Sequence, residues 1–377
     1  MNKKSDQEGM SHFHATPAAP VLADRGRDFA ATGRRLCAWL ASRMPGSTGM
    51  ALADLRYPVG AGTSNETILF KARWQEGARA FEKDFVARLH PGDFQLFLDP
   101  AFERQYRLLE LIGRRGWVRV PPVRWQEADA SILGQPFFLM ERIEGRVPVT
   151  FPIYNLAGFL ADATPREREH AWLSAMEQFT RIHCIPADEV RFMHRAEFGA
   201  TGFDDEFNYW MRALDWTAGE RMPPTYPAAR EWLRKNRPAA PPEGLSWGDA
   251  RIGNMIFDAN FEVAAVLDWE QGSLAGGLQD LGWWLLFDVA FSSGVGLKRL
   301  EGLGTRQQTI DLWQERTGQR AADLHWYEIF GAFKAATLAM RKARLEGRFT
   351  PGNNPGNNLF ARILCSRLEL PPPADMA

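Results

Sequence analysis

The stretch SWGDARIGNMIFDANFEVAAVLDWEQGSLAGGLQD, residues 246–280, decides the fold of this chain. Two short apolar runs lie within it, at 255–257 and 263–267, and the turn-forming residues 258–260 separate them. This pattern predicts a β-hairpin. Because a hairpin brings its two open ends side by side, the residues that flank its strands are expected to lie close together.

Three oxygen-bearing side chains flank the predicted hairpin. Asn254 directly precedes the first strand, Asp268 directly follows the second, and Asp249 lies in the loop before them. Hard cations such as Mg²⁺ prefer oxygen ligands and bridge carboxylates to phosphates. In kinase-type phosphoryl transfer a loop Asp orients the hydroxyl, while an Asn and a later Asp hold the metal. The spacing therefore predicts a phosphoryl-transfer site. The alternative is an ordinary surface hairpin rich in Asp, Gly and Asn.

Three segments of this stretch resemble the aminoglycoside-phosphotransferase-like kinases. They are WGDARIGN at 247–254, VLDWE at 266–270 and QDLGWW at 279–284. Their form is most similar to the branch whose kinase domain is also found fused to acyl-CoA dehydrogenases. Most of the superfamily has His at the position of Trp247, so this Trp marks a subfamily. The resemblance covers roughly residues 26–345.

The resemblance implies an α+β protein with the two-lobed protein-kinase-like fold. A small lobe with an antiparallel sheet would bind the nucleotide, and a larger helical lobe would carry the catalytic loop and the acceptor site. The expected division is a disordered tail at 1–25, the N-lobe at 26–140, a hinge at 141–147, the helical C-lobe at 148–370 and a loose tail at 371–377.

The resemblance also implies roles around the catalytic loop. Asp249 would orient or deprotonate the acceptor hydroxyl, and Asn254 and Asp268 would hold Mg²⁺. Arg251 would either face developing charge or an anionic substrate, or it would brace the loop. Asp280, in an Asp-Leu-Gly sequence at a helix start, would brace the catalytic loop through hydrogen bonds rather than bind the metal. A simple helix cap is compatible with the same position.

A glycine-containing turn between two predicted strands is the candidate phosphate-binding loop. Its residues are Gly60, Gly62, Thr63, Ser64 and Asn65. Glycines let a backbone approach a ligand closely, and turn amides can face phosphate. The family carries a Ser-Asn-x-Thr element here, which residues 64–67 match. A plain hairpin is the alternative.

The next predicted strand carries the expected phosphate-binding cation, which is Arg88 rather than the more usual Lys. Arg can hold phosphate bidentately, so the replacement is compatible with binding. The following helix has Gln105 where the family has a Glu that pairs with this cation. Gln105 could accept one hydrogen bond from Arg88 but adds no ion pair. Glu103 or Glu110 could substitute.

The segment after the last predicted strand of the small lobe is the expected hinge. Composition alone predicts a buried strand followed by a loop. The resemblance adds that the adenine would contact this segment at Met140, Glu141 and Ile143. The expected cofactors are thus ATP and Mg²⁺.

The composition argues against several other classes of protein. The net charge is -1, which gives no electrostatic case for a nucleic acid or an acidic membrane as partner. Three cysteines without metal spacing indicate reduced thiols in a cytoplasmic protein. No apolar run is long enough to span a membrane, and residues 1–20 lack the apolar centre of a secretory signal. The sequence does not determine the oligomeric state.

The predicted activity is ATP-dependent transfer of the γ-phosphoryl group to a hydroxyl of a small molecule. Residues 285–377 hold 12 Lys and Arg against 9 Asp and Glu, so this region is not suited to a polycationic acceptor. A neutral or anionic hydroxy acid or hydroxyacyl compound is therefore favoured. The alternatives are an aminoglycoside or macrolide phosphotransferase, a nucleotide-binding pseudokinase, which Arg88 and Gln105 would suit, and a metal-dependent hydrolase.

Overall fold

The computed structural model describes residues 26–58, 64–220, 222–348 and 356–373. Over these ranges the chain forms a smaller lobe built on an antiparallel sheet and a larger, mostly helical lobe. The predicted α+β class and the two-lobed arrangement are confirmed. Within the described ranges, no helix is long and apolar enough to cross a membrane.

The smaller lobe is organised around a five-stranded sheet. Its elements in chain order are α1 (Phe29–Arg43), β1 (Ser47–Arg56), β2 (Glu66–Glu76), β3 (Arg79–Leu89), α2 (Phe102–Arg115), β4 (Val123–Glu127), α3 (Ala130–Leu133) and β5 (Phe137–Glu141). The strand order is β1-β2-β3-β5-β4, and every neighbouring pair is antiparallel. Asp28 starts α1, because its Oδ1 accepts hydrogen bonds from the amides of Ala30 and Ala31 at 2.9 and 3.0 Å.

One face of this sheet is buried against α1. The alternate side chains of β2 that point inward are Ile68, Phe70, Ala72 and Trp74. They pack in one apolar cluster with Leu36 and Leu40 of the helix, as the two-residue period of a strand allows. This packing fixes β2 and its partner β3, and therefore fixes the place of Arg88 in the sheet.

The larger lobe consists of helices around one short hairpin. Its helices are α4 (Phe159–Asp162), α5 (Pro165–His183), α6 (Gly202–Ala218), α7 (Thr225–Lys235), α8 (Gly277–Ala290), α9 (Arg306–Thr317), α10 (Leu324–Leu345) and α11 (Leu359–Arg367), with 3₁₀ helices at Ala187–Met193, Ile252–Asn254, Trp269–Gln271 and Ser293–Val295. The hairpin is formed by β6 (Met255–Phe257) and β7 (Val263–Val266). The first ten residues of α8 are all buried, which explains why that helix lacks the polar stripe of a surface helix.

The helix α5 begins at a capping box, which the Thr-Pro-Arg-Glu sequence at 164–167 favours. Thr164 Oγ1 accepts a hydrogen bond from the Glu167 amide at 3.3 Å, and Glu167 Oε2 accepts one from the Thr164 amide at 2.7 Å. Pro165 occupies the first helical position, where its missing amide hydrogen costs nothing. The helix therefore starts at a defined residue and ends at His183, beneath the catalytic loop.

Backbone hydrogen bonds tie the hairpin to the segments that leave the smaller lobe. Arg146, which follows β5, exchanges hydrogen bonds with Phe257 of β6 at 2.7 and 2.8 Å. The amide of Val266 in β7 donates to the carbonyl of Arg119, between α2 and β4, at 2.8 Å. The hairpin thus lies where the two lobes meet.

Candidate active site

The open end of the hairpin places Asn254 and Asp268 side by side. Met255 pairs with Val266 across the two strands, and the Leu267 amide donates to the Asn254 carbonyl at 2.8 Å. Asp268 adopts a left-handed backbone with φ 55°, which is unfavourable for a residue other than glycine. Such backbone strain is concentrated at functional positions in proteins. Asp268 keeps a side chain that is about one third exposed, so the carboxylate is accessible.

Asp249 lies in the loop that leads into the hairpin, and three neighbours fix it. Its Oδ1 accepts hydrogen bonds from Trp283 Nε1 at 2.9 Å and from Arg251 Nε at 3.3 Å. Asn254 Nδ2 donates to the Asp249 carbonyl at 2.9 Å. In the described part of the chain, neither Asp249 Oδ2 nor Asn254 Oδ1 accepts a hydrogen bond. Each residue therefore keeps one oxygen available to a ligand.

Asp280 braces this loop from beneath. Its Oδ1 accepts hydrogen bonds from Ser246 Oγ and the Gly248 amide, both at 2.8 Å. Its Oδ2 accepts from the Trp247 amide at 2.5 Å and contacts His183 Nε2 at 2.9 Å. The carboxylate is fully buried, and four donors offset the cost of burying it. The structure thus places Asp280 where it orders the loop, away from Asn254 and Asp268.

The tautomer of His183 follows from its two contacts. The indole N–H of Trp313 donates to His183 Nδ1 at 2.8 Å, so Nδ1 is an acceptor and carries no proton in the neutral ring. Nε2 therefore carries the proton and donates it to Asp280. His183 is buried and acts as part of the scaffold.

Trp247, which replaces the more common His, joins the loop to the hairpin. Its side chain is fully buried, and its indole N–H donates to the Leu267 carbonyl at 2.7 Å. The next residue, Gly248, has a positive φ of 92°, and a Cβ there would lie 2.2 Å from the Gln271 carbonyl oxygen. Only glycine fits this position. Trp247 thus supplies a direct hydrogen bond between the loop and the strand end.

Glu270 accepts hydrogen bonds from candidate phosphate-binding groups of the smaller lobe. Its Oε2 accepts hydrogen bonds from Arg88 Nη2 at 2.8 Å, Ser64 Oγ at 2.8 Å and Asn65 Nδ2 at 2.9 Å. Arg88 Nη1 donates to Asp268 Oδ1 at 3.2 Å. A single carboxylate therefore links the predicted nucleotide-binding residues to the predicted metal-binding turn.

Glu270 was not among the site residues predicted from the sequence. Burial raises the pKa of its carboxyl to about 7, and the charge of Asp268 adds to this rise, whereas Arg88 and the Ser64 hydroxyl oppose it. The side chain is only 10 % exposed. The sequence did contain a signal for Glu270. It lies two residues after Asp268, so both side chains belong to the same tight Asp-Trp-Glu turn.

The hydrogen bond expected between Gln105 and Arg88 is not formed. Gln105 is buried in α2, yet within the described residues its Oε1 accepts no hydrogen bond, and Arg88 Nε donates none. The two suggested substitutes, Glu103 and Glu110, are exposed. Arg88 obtains its ion pairs from Glu270 and Asp268 instead, because β3 faces the Asp-Trp-Glu turn across the gap between the lobes.

A small cleft opens beside the loop that carries Asp249. Arg251 lines it and also donates to Thr150 Oγ1 at 3.4 Å. Arg299 also lines the cleft, and its Nε donates a bifurcated hydrogen bond to both carboxylate oxygens of Asp288, at 2.7 and 2.8 Å. Aromatic side chains, including Phe287, complete the walls. Two arginines and one aspartate give this cleft no excess of negative charge.

The family model for the phosphotransferase enzyme family matches residues 57–318, most of the chain. The chain belongs to this family. The predicted family is therefore confirmed, and with it the class of enzyme, a phosphotransferase whose acceptor group is an alcohol.

The phosphotransferase has relatives in a second class of protein. It is 25% identical to a probable acyl-CoA dehydrogenase of Arabidopsis thaliana, over 74% of this chain and 35% of that protein. It is 24% identical to the human acyl-CoA dehydrogenase family member 11, over 81% of this chain and 38% of that protein. The chain thus spans little more than a third of the curated relatives it matches. The predicted similarity to a branch associated with acyl-CoA dehydrogenases is confirmed.

A solved structure supports the kinase-like fold of the phosphotransferase. The similar structure is a putative aminoglycoside phosphotransferase from Ralstonia eutropha JMP134, with 21% identity and a TM-score of 0.61. The match covers 89% of this chain and 95% of that one. At this identity the likeness concerns the fold.

Part of the predicted phosphate-binding loop of the phosphotransferase, Gly60, Gly62 and Thr63, lies outside the described residues. Ser64 and Asn65, which are described, are buried and bonded to Glu270. The described end of the loop therefore faces the hairpin rather than solvent.

The predicted hinge of the phosphotransferase follows β5 directly. Met140 is buried at the end of that strand, and the Glu141 amide donates to the Pro122 carbonyl at 2.9 Å. The Glu141 carboxylate pairs with Lys83 and Arg124. Ile143 is half-buried in the next segment. Contact of these residues with adenine stays a prediction.

This phosphotransferase offers a metal ion fewer protein ligands than a dedicated metal site would. Among the described residues, no group of three or more His, Cys, Asp or Glu is arranged to hold an ion. Asn254 and Asp268 supply an amide and a carboxylate oxygen. This donor set fits Mg²⁺, which keeps several waters and binds through one or two protein oxygens together with substrate phosphates.

Proposed function

We propose that this phosphotransferase transfers the γ-phosphoryl group of ATP to a hydroxyl of a small neutral or anionic molecule. The observation that carries the proposal is the meeting of Asp249, Asn254 and Asp268 at the hairpin, opposite Arg88. A hydroxyl acceptor, a metal and a nucleotide phosphate each find suitable groups within this one site. Such an arrangement matches the needs of phosphoryl transfer, which depends on positioning and on charge stabilisation.

Asp249 is the residue that faces the acceptor in this proposal. Because Trp283 and Arg251 hold Oδ1, the free Oδ2 is the oxygen that receives the hydroxyl proton. The acceptor oxygen is then aligned for attack on phosphorus as its proton moves to the carboxylate. Asp280 contributes by fixing the backbone of the loop on either side of Trp247.

Asn254 and Asp268 would hold Mg²⁺, which neutralises charge on the phosphates when it is bound. Arg88 would bind phosphate oxygens beside it. A guanidinium has five N–H donors, and the hydrogen bonds to Glu270 and Asp268 use two of them. The Nε–H is buried, so the two remaining Nη hydrogens are the donors left for a nucleotide. Structures of a similar fold support ATP as the donor, since APH(4)-Ia forms a ternary complex with ADP and hygromycin B.

The acceptor in our proposal is a hydroxy acid or a hydroxyacyl thioester. Arg251 and Arg299 in the cleft suit an anionic group better than a polycation. At 80% and 58% exposure, Phe151 and Leu156 present apolar surface in the segment that follows Thr150, which contacts Arg251. An acyl chain could lie on such a surface. The likeness to acyl-CoA dehydrogenases fits the same class of acceptor.

The experiment that tests this function measures ADP release from Mg·ATP with separate acceptor pools. The pools are hydroxy acids, hydroxyacyl-CoAs, aminoglycosides and macrolides. We expect stimulation by one of the first two pools. Stimulation by the aminoglycosides or macrolides alone would replace our acceptor class. ATP binding without stimulation by any pool would favour a pseudokinase, and phosphate release independent of all acceptors would favour a hydrolase. We place the enzyme in the cytoplasm, where ATP is available and free cysteines stay reduced.

A further inference from the structure

Trp283 of α8 lies directly beneath the carboxylate of Asp249. Its side chain is 1% exposed, and its indole N–H donates to Asp249 Oδ1 at 2.9 Å. The terminal torsion of an Asp side chain is broad, so a carboxylate turns easily unless its oxygens are held. The indole N–H is a donor only and has no alternative acceptor role. It therefore fixes which oxygen of Asp249 points inward and which is left for the acceptor.

The ring of Trp283 is itself held by a buried cation. Lys334 of α10 is fully buried, and its Nζ lies 5.2 Å from the centroid of the Trp283 ring. The same ammonium lies 5.0 Å from the ring of Trp210 and 5.8 Å from that of Phe330. Attraction between a cation and an aromatic face is strongest where both are removed from water. Lys334 thus favours one orientation of the indole.

Lys334 is kept in place by a group of charges that the proposed reaction does not otherwise use. Glu206 of α6 accepts hydrogen bonds from Lys334 Nζ at 2.6 Å, Trp210 Nε1 at 2.8 Å and Arg195 Nη2 at 3.0 Å. Arg195 also pairs with Asp205 at 2.7 Å. Two positive and two negative groups are thus buried together. Burial alone would raise the pKa of Glu206, but the charges of Lys334 and Arg195 outweigh it and lower this pKa.

Buried ion pairs contribute little net stability compared with apolar packing, because both charges lose their hydration. A cluster of this kind is therefore weakly explained by stability. The cluster also contacts Trp283, which holds Asp249, so its effect extends from stability to the position of Asp249. We propose that Trp283 is a positioning residue for Asp249, and that the ion pair between Lys334 and Glu206 keeps Trp283 oriented for that task. This inference rests on the proposed function, since it concerns the residue that receives the acceptor proton.

The first test is Trp283→Phe, which keeps an aromatic ring above Lys334 but removes the N–H that Asp249 accepts. We expect kcat to fall about tenfold, the cost of one hydrogen bond in the transition state. Binding of Mg·ATP, measured by calorimetry, should stay within about twofold, because Trp283 does not contact the nucleotide-binding groups. A role in core packing alone would lower the melting temperature without separating kcat from nucleotide binding.

The matched control is Trp326→Phe. Trp326 of α10 is equally buried and loses a comparable bond, from its indole N–H to the Leu233 carbonyl at 3.0 Å, but it has no contact with Asp249. A double variant, Lys334→Met with Glu206→Gln, removes one charge of each sign and leaves Arg195 paired with Asp205. We expect the decrease in kcat of this double variant to lie between the decreases of Trp283→Phe and Trp326→Phe. Equal kcat values in Trp283→Phe and Trp326→Phe would overturn the proposal.

A second readout does not need an acceptor. Crystal structures of the wild type and of Trp283→Phe should differ in the orientation of the Asp249 carboxylate, which we expect to turn or to occupy two positions in the variant. An unchanged, single orientation would also overturn the proposal. The variant Asp249→Ala distinguishes a failure of the catalytic role of Asp249 from a failure of the positioning role of Trp283. Transfer retained in Asp249→Ala would overturn the proposed catalytic role of Asp249, whereas transfer lost there but fully kept in Trp283→Phe would overturn only the positioning role.

Discussion

Arg88 and Glu270 are joined across the two lobes by a hydrogen bond of 2.8 Å between Nη2 and Oε2, although 182 positions separate them in the chain. Both side chains are about 10% exposed. Ser64 and Asn65 donate to the same oxygen. The position of Arg88, the proposed phosphate-binding cation, is therefore set by the Asp-Trp-Glu turn at 268–270 rather than by α2, where Gln105 offers no ion pair.

The first prediction follows from this contact. Glu270→Gln should lower the free energy of unfolding by about 2 kcal/mol, because Arg88 would stay buried with Asp268 as its remaining partner. Chemical denaturation measures this change. Glu82→Gln is the control, since Glu82 pairs with Lys71 and Arg73 at the surface and should leave stability nearly unchanged. Equal effects of the two substitutions would contradict a structural role for the buried pair.

The second prediction concerns Asp280. Asp280→Asn should cost about 3 kcal/mol in the free energy of unfolding, because the amide cannot accept from all four donors around the buried carboxylate. Turnover should fall with it, because the loop that carries Asp249 loses its brace. Asp311→Asn is the matched control on α9, where, among the described residues, the carboxylate accepts a side-chain hydrogen bond only from Gln307 at the surface. A stable and active Asp280→Asn variant would show that the loop needs no such support.

The third prediction concerns two costs of replacing a glycine: backbone strain, and a close approach of the new Cβ to a neighbouring atom. Gly248 and Gly318 both have positive φ, 92° and 70°, but only Gly248 has a backbone oxygen within 2.2 Å of a would-be Cβ. Gly318→Ala should therefore cost about 1 kcal/mol, from backbone conformation alone. Gly248→Ala should cost clearly more, because the Gln271 carbonyl must shift. Denaturant titration of both variants decides this, and equal costs would speak against the close approach.

The fourth prediction concerns the metal. ATP should raise the melting temperature more with Mg²⁺ than with EDTA, since the ion bridges phosphates to Asn254 and Asp268. Asp268→Asn should remove most of this Mg²⁺-dependent difference, whereas Asp311→Asn should keep it. Thermal unfolding of the three proteins measures it. A Mg²⁺ effect of equal size in Asp268→Asn would assign the ion to other residues.

The sequence was sufficient for those parts of the site that are close together in the chain. The apolar runs and turn residues between 255 and 267 define the hairpin locally, so the meeting of Asn254 and Asp268 follows from turn chemistry alone. The capping box at Thr164 was predictable for the same reason. The family motifs added the two-lobed fold, which no local pattern specifies.

Contacts between distant elements could not be predicted in this way. Glu270 meets Arg88 only because the sheet packs over the metal-binding turn, and this depends on the fold of both lobes. Trp283 and Lys334 look like ordinary members of two helices in the sequence. The contacts of Trp283 with Asp249 and with Lys334 depend on how α8 packs against the loop and against α10. The family resemblance led us to expect a hydrogen bond between Gln105 and Arg88. In the structure Glu270 and Asp268 are the partners of Arg88.

The most direct test of the catalytic role of Asp249 is the rate of ADP release from Mg·ATP in the wild type and in Asp249→Ala, with the acceptor that stimulates the wild type. We predict that the acceptor-dependent rate is lost in Asp249→Ala, by about a thousandfold, while Mg·ATP still raises the melting temperature of the variant. An acceptor-dependent rate in Asp249→Ala within tenfold of the wild type would contradict the role of the loop carboxylate, and with it the site built around the hairpin.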